Sequence, residues 1–166
     1  MKVDVDIEGL DAALAKVGPE LYAKPLRDFF KRCGIYVSDR AKELAPVDTG
    51  RLRASLTYVV DTGEPPQQVE MGTNVEYAKP VEFGTGMLSD APDSSQSRHW
   101  PPAAALDVWA ARHGFSSGAH VARIIGMRGG LEPRRYLRNA FEQSREAING
   151  FLNDMKDDIA NGWNAP

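Results

Sequence analysis

The sequence has one cysteine, no long apolar run and no surplus of positive charge. Because Cys33 is the only cysteine, an internal disulfide is excluded. No apolar run approaches the roughly 18–20 residues that a membrane-spanning helix needs. The opening stretch, MKVDVDIEG, alternates apolar and acidic residues and lacks the apolar centre of a secretory signal. We therefore expect a protein that is made in the cytoplasm and has no membrane partner.

The charge balance also limits the partners of the protein. The net charge is −3 at pH 7, whereas domains that bind duplex DNA normally carry a basic surplus that displaces counterions from the phosphates. This balance argues against sequence-specific DNA binding. It is compatible with a protein that surrounds DNA without gripping it.

The strands are predicted from alternation and from β-forming residue types. The chain has 166 residues, of which 42% are hydrophobic and 26% charged, so it is long enough for one soluble domain with a core. Residues 3–7 alternate apolar and acidic side chains, which predicts a half-buried strand. The segments Thr57–Val60 and Gln67–Gly72, separated by turn-forming residues, predict a β-hairpin.

Apolar residues at helical spacing predict one long helix in each half of the chain. The first extends from Glu20 to Ala45; Pro25 is expected to delay its start and Pro46 to end it. Other elements are predicted at these positions: helices at Leu10–Val17, Arg51–Leu56, Trp100–Gly114, Ser117–Met127 and Arg135–Ile159, a short segment with a helical turn at Val75–Phe83, a surface loop at Gly84–Ser97, and a frayed tail at Asn161–Pro166. The predicted fold class is α+β, with a small antiparallel sheet and its β-hairpin packed against a long N-terminal-half helix and a long C-terminal helix.

The sequence contains no recognisable catalytic, cofactor-binding or metal-binding pattern. The three histidines, His99, His113 and His120, are not spaced with Cys, Asp or Glu as metal ligands are. Phosphate-loop and Gly-x-Ser-x-Gly motifs are also missing. Glu76 and Glu82 flank a short segment in which a general acid and a general base could be paired. We expect no cofactor and no metal, and a small carboxylate-dependent hydrolase is kept as an alternative.

Five arginines form a positive cluster: Arg123, Arg128, Arg134, Arg135 and Arg138. They lack the interleaved aromatic residues on which nucleic-acid bases stack, so pairing with acidic groups of the same fold or of a neighbouring subunit is the favoured interpretation. Contacts between subunits are predicted at Arg123, Arg128, Arg135 and Arg138. A nucleic-acid-binding module is the alternative.

Four stretches stand out by their order along the chain: LAPVDTGRLRAS at 44–55, GTNVEYA at 72–78, VEFGT at 81–85 and PRRYLRNA at 133–140. Together they resemble the tail-completion (neck) proteins of long-tailed bacteriophages, a family that includes the minor tail protein Z of lambdoid phages. The resemblance extends from about Gly9 to Phe151. We interpret the chain as a single domain over 1–166, with an inserted loop and helical segment at about 84–130.

In this family the motif residues are expected to maintain the fold, with Asp48 or Thr49 as the cap of the short helix that follows. The motif residues are Pro46, Asp48, Thr49, Gly50, Leu52, Ser55, Gly72, Thr73, Tyr77, Glu82, Phe83, Gly84, Pro133, Arg134 and Leu137.

The resemblance implies a non-enzymatic structural protein of the virion, located in the neck or tail. It implies a homo-oligomeric ring of six copies that completes the tail and joins it to the head. The expected neighbours are a head-side connector or stopper protein and the tail tube or tail terminator protein. DNA would pass through the ring without sequence-specific binding. A tail terminator and a head-closure protein are the alternatives within the neck, and the hairpin Thr57–Gly72 and the loop Gly84–Ser97 are expected to reach partners.

Overall fold

A computed structural model describes the backbone of residues 2–5 and the whole of residues 18–163. The helix predicted at Leu10–Val17 and the last residues of the predicted tail, 164–166, lie outside this part. Contacts divide the chain into two compact units: unit 1 falls within residues 1–75 and 136–166, and unit 2 is Glu76–Arg135. The single domain with an insertion at about 84–130 stays a prediction.

Unit 1 contains a three-stranded antiparallel sheet. Its strands are β1 (Lys2–Val5), β2 (Thr57–Val60) and β3 (Val69–Gly72), in the order β1-β3-β2. In this register Met71 lies opposite Val3 on one side and Tyr58 on the other. Val69 and Met71 of the central strand are buried, whereas Val59 of the edge strand β2 is 62% exposed. The predicted N-terminal strand and β-hairpin are confirmed, and the second hairpin strand begins at Val69.

Helix α1 (Pro19–Leu44) confirms the long helix predicted in the first half of the chain. The predicted apolar stripe is its buried face, which includes Tyr22, Leu26, Phe29, Phe30, Cys33, Val37 and Ala41. Gly18 caps its start, and Ala45 ends it directly before Pro46. The expectation that Pro25 delays the start is wrong, because Pro25 lies inside the helix. Pro19 already provides the fixed φ angle that suits a first turn, and burial of Tyr22 and Leu26 stabilises the turns on either side of Pro25.

Helix α6 (Tyr136–Trp163) packs antiparallel on α1. The Arg40 Nε donates to Gln143 Oε1 at 2.8 Å, and eight residues earlier in α1 Arg32 forms a 2.8 Å ion pair with Asp154. The earlier residue of α1 thus pairs with the later residue of α6. The two helices therefore have opposite directions. Unit 1 is thus a small sheet and two long helices, and the predicted α+β class is confirmed.

The prediction for the last turns of α6 is wrong. The helix was expected to end near Ile159 and the chain to fray from Asn161, but it remains helical to Trp163. Ile159 is half-buried, and a Cβ placed on Gly162 would lie 3.1 Å from Leu21 of α1. Close packing on α1 therefore continues through these turns and stabilises them.

Unit 2 is helical in the described residues. It contains α3 (Ala78–Phe83), a 3-10 turn (Gly86–Leu88), α4 (Ala103–Arg112) and α5 (Gly118–Arg128). Helices α4 and α5 pack around a small core of Ala110, Val121 and Ile125, to which Leu106 and Trp109 contribute. The predicted loop at Gly84–Ser97 contains the 3-10 turn, and the Ser94 hydroxyl donates to Gly86 O at 3.2 Å within it.

Helix α5 has strong start and stop signals. The Ser117 hydroxyl accepts a hydrogen bond from His120 N at 3.2 Å, which satisfies one of the free amides of the first turn. At the other end Gly129 adopts a φ of 95°, a left-handed conformation that favours glycine. The predicted helix at Ser117–Met127 is confirmed to within a residue. None of the described helices in the two units is both long and apolar enough to cross a membrane.

Candidate functional site

The first and second motif stretches meet in unit 1 through two hydroxyl groups. Ser55 Oγ lies 2.6 Å from Thr73 Oγ1, and Ser55 donates to Leu52 O at 2.9 Å. Since a hydroxyl has only one proton, Thr73 must donate to Ser55. The Thr73 oxygen in turn accepts from Val75 N at 3.1 Å. A directed chain of hydrogen bonds therefore joins helix α2 (Arg51–Ser55) to the segment after β3.

The turn before α2 is capped by a glycine. Gly50 is the cap residue, with φ 79°, and no side chain accepts from the first turn at the cap position. The prediction that Asp48 or Thr49 is the cap is therefore wrong. The physical reason is that the chain reverses at Gly50 itself, whose carbonyl accepts the first helical bond from Ala54 N at 2.9 Å. Thr49 Oγ1 stabilises the turn by accepting from Arg51 N at 3.4 Å.

The third and fourth motif stretches meet in unit 2 through backbone hydrogen bonds. Arg134 N donates to Val81 O at 2.9 Å, and Arg135 N donates to Glu82 O at 3.0 Å. These carbonyls lie in the last turn of α3, where the helix leaves them without internal partners. The chain before α6 thus closes the end of α3.

Gly84 allows the close approach of these two stretches. Its φ is 70° and its ψ is −170°, a region that residues with a side chain rarely adopt. A Cβ at this position would collide with Leu131 O and lie 2.8 Å from Pro133 N. Thr85 secures the same contact, because its amide donates to Leu131 O at 2.9 Å and its hydroxyl accepts from Leu131 N at 3.0 Å.

The other predicted motif residues occupy contrasting environments. Leu52, Glu82 and Leu137 are buried, and Phe83, Gly72 and Pro133 are partly buried. Pro46, Asp48 and Tyr77 are exposed, with Tyr77 at 42%. The motif therefore combines buried residues of the fold with residues exposed at the surface.

The arginine cluster is not held by one network of ion pairs. Arg135 pairs with Asp90 at 2.7 Å, a contact that the sequence could not indicate because the two residues are 45 positions apart. Arg123, Arg128 and Arg134 are exposed, and within residues 18–163 no ion pair engages them. Arg138 lies on the exposed side of the first turns of α6.

The groups considered for chemistry are separated by the fold. Glu76 is exposed, whereas Glu82 is buried in α3. The His113 ring stacks on Trp109 at 4.0 Å, and His120 Nδ1 lies 3.1 Å from Ser116 Oγ. In the described part of the chain no group of three or more His, Cys, Asp or Glu side chains is arranged to hold a metal ion.

The cysteine is buried in the core of unit 1. Cys33 is fully buried on the inner face of α1, and this burial raises the pKa of its thiol to about 12. A thiol in this setting is protonated at physiological pH, and only the thiolate is a good nucleophile.

Residues 8–84 match the family model described as "Bacteriophage HK97-gp10, putative tail-component". This HK97-gp10-like region contains α1, the hairpin and α3, and it includes the first two motif stretches and residues 81–84 of the third. This match supports a structural component of a phage tail. It does not identify the chain with the more specific lambdoid protein Z. No curated protein and no solved structure matches the chain.

Proposed function

We propose that this protein is a structural subunit of the neck of a tailed phage, where six copies form a ring that completes the tail and joins it to the head. The observation that carries the proposal is the HK97-gp10-like region over residues 8–84. The structure supports it because the motif residues of this region maintain the fold, as expected for residues shared by a family. Ser55 and Thr73 join α2 to the segment after β3, and Gly50 caps α2.

The neighbours of the ring are a head-side connector or stopper protein and the tail tube or tail terminator protein. Two exposed apolar sites support such contacts in the segments expected to reach partners. In the hairpin, Val59 is 62% exposed on the edge strand β2; in the loop, Met87 and Leu88 are 52% and 36% exposed. Edge strands and exposed apolar loop residues are surfaces at which other chains bind.

DNA passes through the ring without sequence-specific contacts. The net charge of −3 supports this part of the proposal, because a neutral or acidic wall does not retain a passing polyanion.

The experiment is electron microscopy of particles made with and without this protein. In its absence we expect DNA-filled heads and separate, unattached tails, and a plasmid copy of the gene should restore complete particles. Purified virions should contain the protein at the neck in six copies. Complete particles assembled without the protein would refute the proposal.

The same micrographs separate the alternatives within the neck. Tails of irregular length without the protein would indicate a tail terminator, since that role sets where the tail stops. Heads that lose their DNA would indicate a head-closure protein. Correct tails and full heads that fail to join would indicate tail completion.

A further inference from the structure

Strand β2 is an open edge of the sheet in unit 1. The order β1-β3-β2 leaves one side of β2 without a neighbouring strand in the described residues. Asp61 N donates to Gln68 O at 3.0 Å, one step beyond the pair of Val60 and Val69. Because hydrogen-bonded and non-hydrogen-bonded pairs alternate along an antiparallel ladder, the amide and carbonyl groups of Val60 and Tyr58 point away from β3. Within residues 18–163 no hydrogen bond engages these groups.

Strand β2 also lacks the features by which edge strands usually avoid pairing. Such strands are commonly blunted by charged side chains, proline or a bulge. The sequence of β2, TYVV, has neither a charge nor a proline, and its register with β3 is regular. Val69 and Met71 of β3 are buried, so Val59, which pairs with Glu70 between them, lies on the open face and is 62% exposed. An extended chain can therefore add to β2 through main-chain hydrogen bonds.

A second copy of β2 satisfies this edge in a single register. Two strands related by a two-fold axis are antiparallel, and they bond where free main-chain groups face each other. Both free residues of both strands are used when Tyr58 of each copy faces Val60 of the other. The two Val59 residues then meet on the axis, with their Cα atoms about 4.5 Å apart. An aromatic side chain beside a β-branched one, as in the two outer pairs, is a favourable cross-strand pair.

Helix α1 adds a second part to this contact. It packs on both β2 and β3, while α6 has more contact with β1 than with β2. A Cβ on Gly34 of α1 would overlap the Tyr58 ring, so the helix lies close above β2. Since neighbouring strands are about 4.8 Å apart, a helix above these two strands lies about 10 Å from its two-fold mate. Packed helices are separated by about 8–10 Å, so the two copies of α1 would contact each other beside the paired strands.

The face of α1 next to Gly34 is exposed and carries charges of both signs. Lys31, Ile35 and Asp39 follow one another in steps of four, which places them on one face. Ile35 is 49% exposed, and Lys31 and Asp39 are exposed as well. In an antiparallel helix pair centred on Ile35, each Lys31 faces the Asp39 of the other copy; Asp39 also pairs with Lys42 of its own helix at 3.0 Å. Such a face suits a copy of itself better than a partner with charges of one sign.

We infer that two copies of this protein pair through β2, which gives a continuous sheet in the order β1-β3-β2-β2-β3-β1 with the two α1 helices side by side. The contact is isologous and closes at two copies, so it is not the contact that repeats around a ring. It belongs to the free protein before assembly, when an uncovered edge is open to any other strand. A neighbour in the virion that uses the same edge must replace the second copy. The inference therefore goes beyond the proposed function and does not depend on it.

The first test is a disulfide across the two-fold axis. In Val59→Cys the two Cα atoms would be about 4.5 Å apart, within the range of about 4.4–6.8 Å that a disulfide spans. Mild oxidation of the purified full-length protein should convert most of it to a cross-linked dimer. Thr57→Cys is the matched control, since Thr57 is exposed on the same face of the same strand but faces Asp61 of the other copy. It should give no cross-link, and the buried Cys33 is present in both variants.

The second test is a charge at the axis. Val59→Lys places two lysines directly opposite each other, and like charges in this position destabilise a strand pair. Sedimentation of the full-length protein should show a concentration-dependent dimer for the wild type and association weaker by about tenfold or more for Val59→Lys. Thr57→Lys changes the net charge equally, but its lysine faces Asp61, so it should associate like the wild type. Circular dichroism should be the same for all three proteins.

Three results would overturn the inference. A monomeric wild type together with no cross-link in Val59→Cys means that the edge is not paired. Equal cross-linking of Thr57→Cys means that the register is wrong. Equal association of Val59→Lys and the wild type assigns any oligomer to another surface. The micrographs of particles made without the protein do not enter this test, because they concern the virion and the pairing concerns the free protein.

Discussion

The sharpest prediction concerns Gly84, because its conformation and its surroundings both oppose a side chain. In Gly84→Ala the backbone conformation alone, a region that is almost confined to glycine, costs about 1–3 kcal/mol. The new Cβ would also collide with Leu131 O and lie 2.8 Å from Pro133 N, so the backbone that closes the end of α3 must move. We expect a total loss of about 3 kcal/mol or more in the free energy of unfolding, the range of a strained site with broken contacts.

Gly114 provides a matched control in the same unit. Its φ is 76°, close to the 70° of Gly84, but a Cβ there would meet nothing within 4 Å. Gly114→Ala should therefore lose only the conformational part, about 1 kcal/mol. The larger loss in Gly84→Ala reports the close approach together with the rarer ψ of −170° at Gly84.

The assay is urea unfolding followed by tryptophan fluorescence in a Trp163→Phe background. The remaining tryptophans, Trp100 and Trp109, both lie in unit 2 and report its unfolding. In thermal unfolding the two alanine variants should differ by about 4 °C or more, since 1 kcal/mol corresponds to about 2–4 °C in a protein of 150–250 residues. Equal destabilisation by the two substitutions would refute the close approach at Gly84.

Three other predictions follow from single contacts. Thr73→Val leaves the Val75 amide without its acceptor and should lower the free energy of unfolding by about 1–2 kcal/mol, whereas Thr73→Ser should be nearly neutral in urea titrations. Cys33 should react with a thiol reagent at pH 8 only after unfolding, because burial raises its pKa to about 12; fast labelling of the folded protein would contradict this. The hydrogen bond from Lys79 lowers the pKa of Asp93, so any stabilisation from this pair is present at neutral pH and is lost as the pH falls through that lowered pKa. Lys79→Met should raise the pKa of Asp93 toward its ordinary value in an NMR titration, although a backbone hydrogen bond still lowers it; an unchanged pKa would exclude the pair.

Much of the fold was predictable because periodicity reports burial directly. The stripe from Tyr22 to Ala41 is the buried face of α1, and Thr57–Val60 is a strand with the predicted bounds. The predictions were wrong where tertiary packing outweighed the local preference of a residue for ending or delaying a helix. Pro25 is tolerated inside α1 because the turns around it are buried, and α6 continues past Asn161 because Gly162 lies against Leu21.

The candidate site was predictable as a set of residues but not as a set of contacts. Ser55 and Thr73 were both identified from their motifs, yet nothing in the sequence states that two hydroxyls 18 positions apart lie 2.6 Å from each other. Leu131 carries no recognisable signal at all, since it contributes backbone atoms to Thr85. Hydrogen bonds made by backbone atoms depend on the path of the chain. Because every residue type has these atoms, such bonds cannot be predicted from the identity of the residue.

Unit 1 is built from two stretches of chain that are separated by unit 2. During translation, all of unit 2 leaves the ribosome before α6, whose residues Tyr136–Trp163 pack on α1. The face of α1 that packs on α6 is therefore covered only once this late segment has emerged, and contacts so distant in sequence close slowly. Until α6 has emerged and packed on α1, the apolar surface between them is open to aggregation.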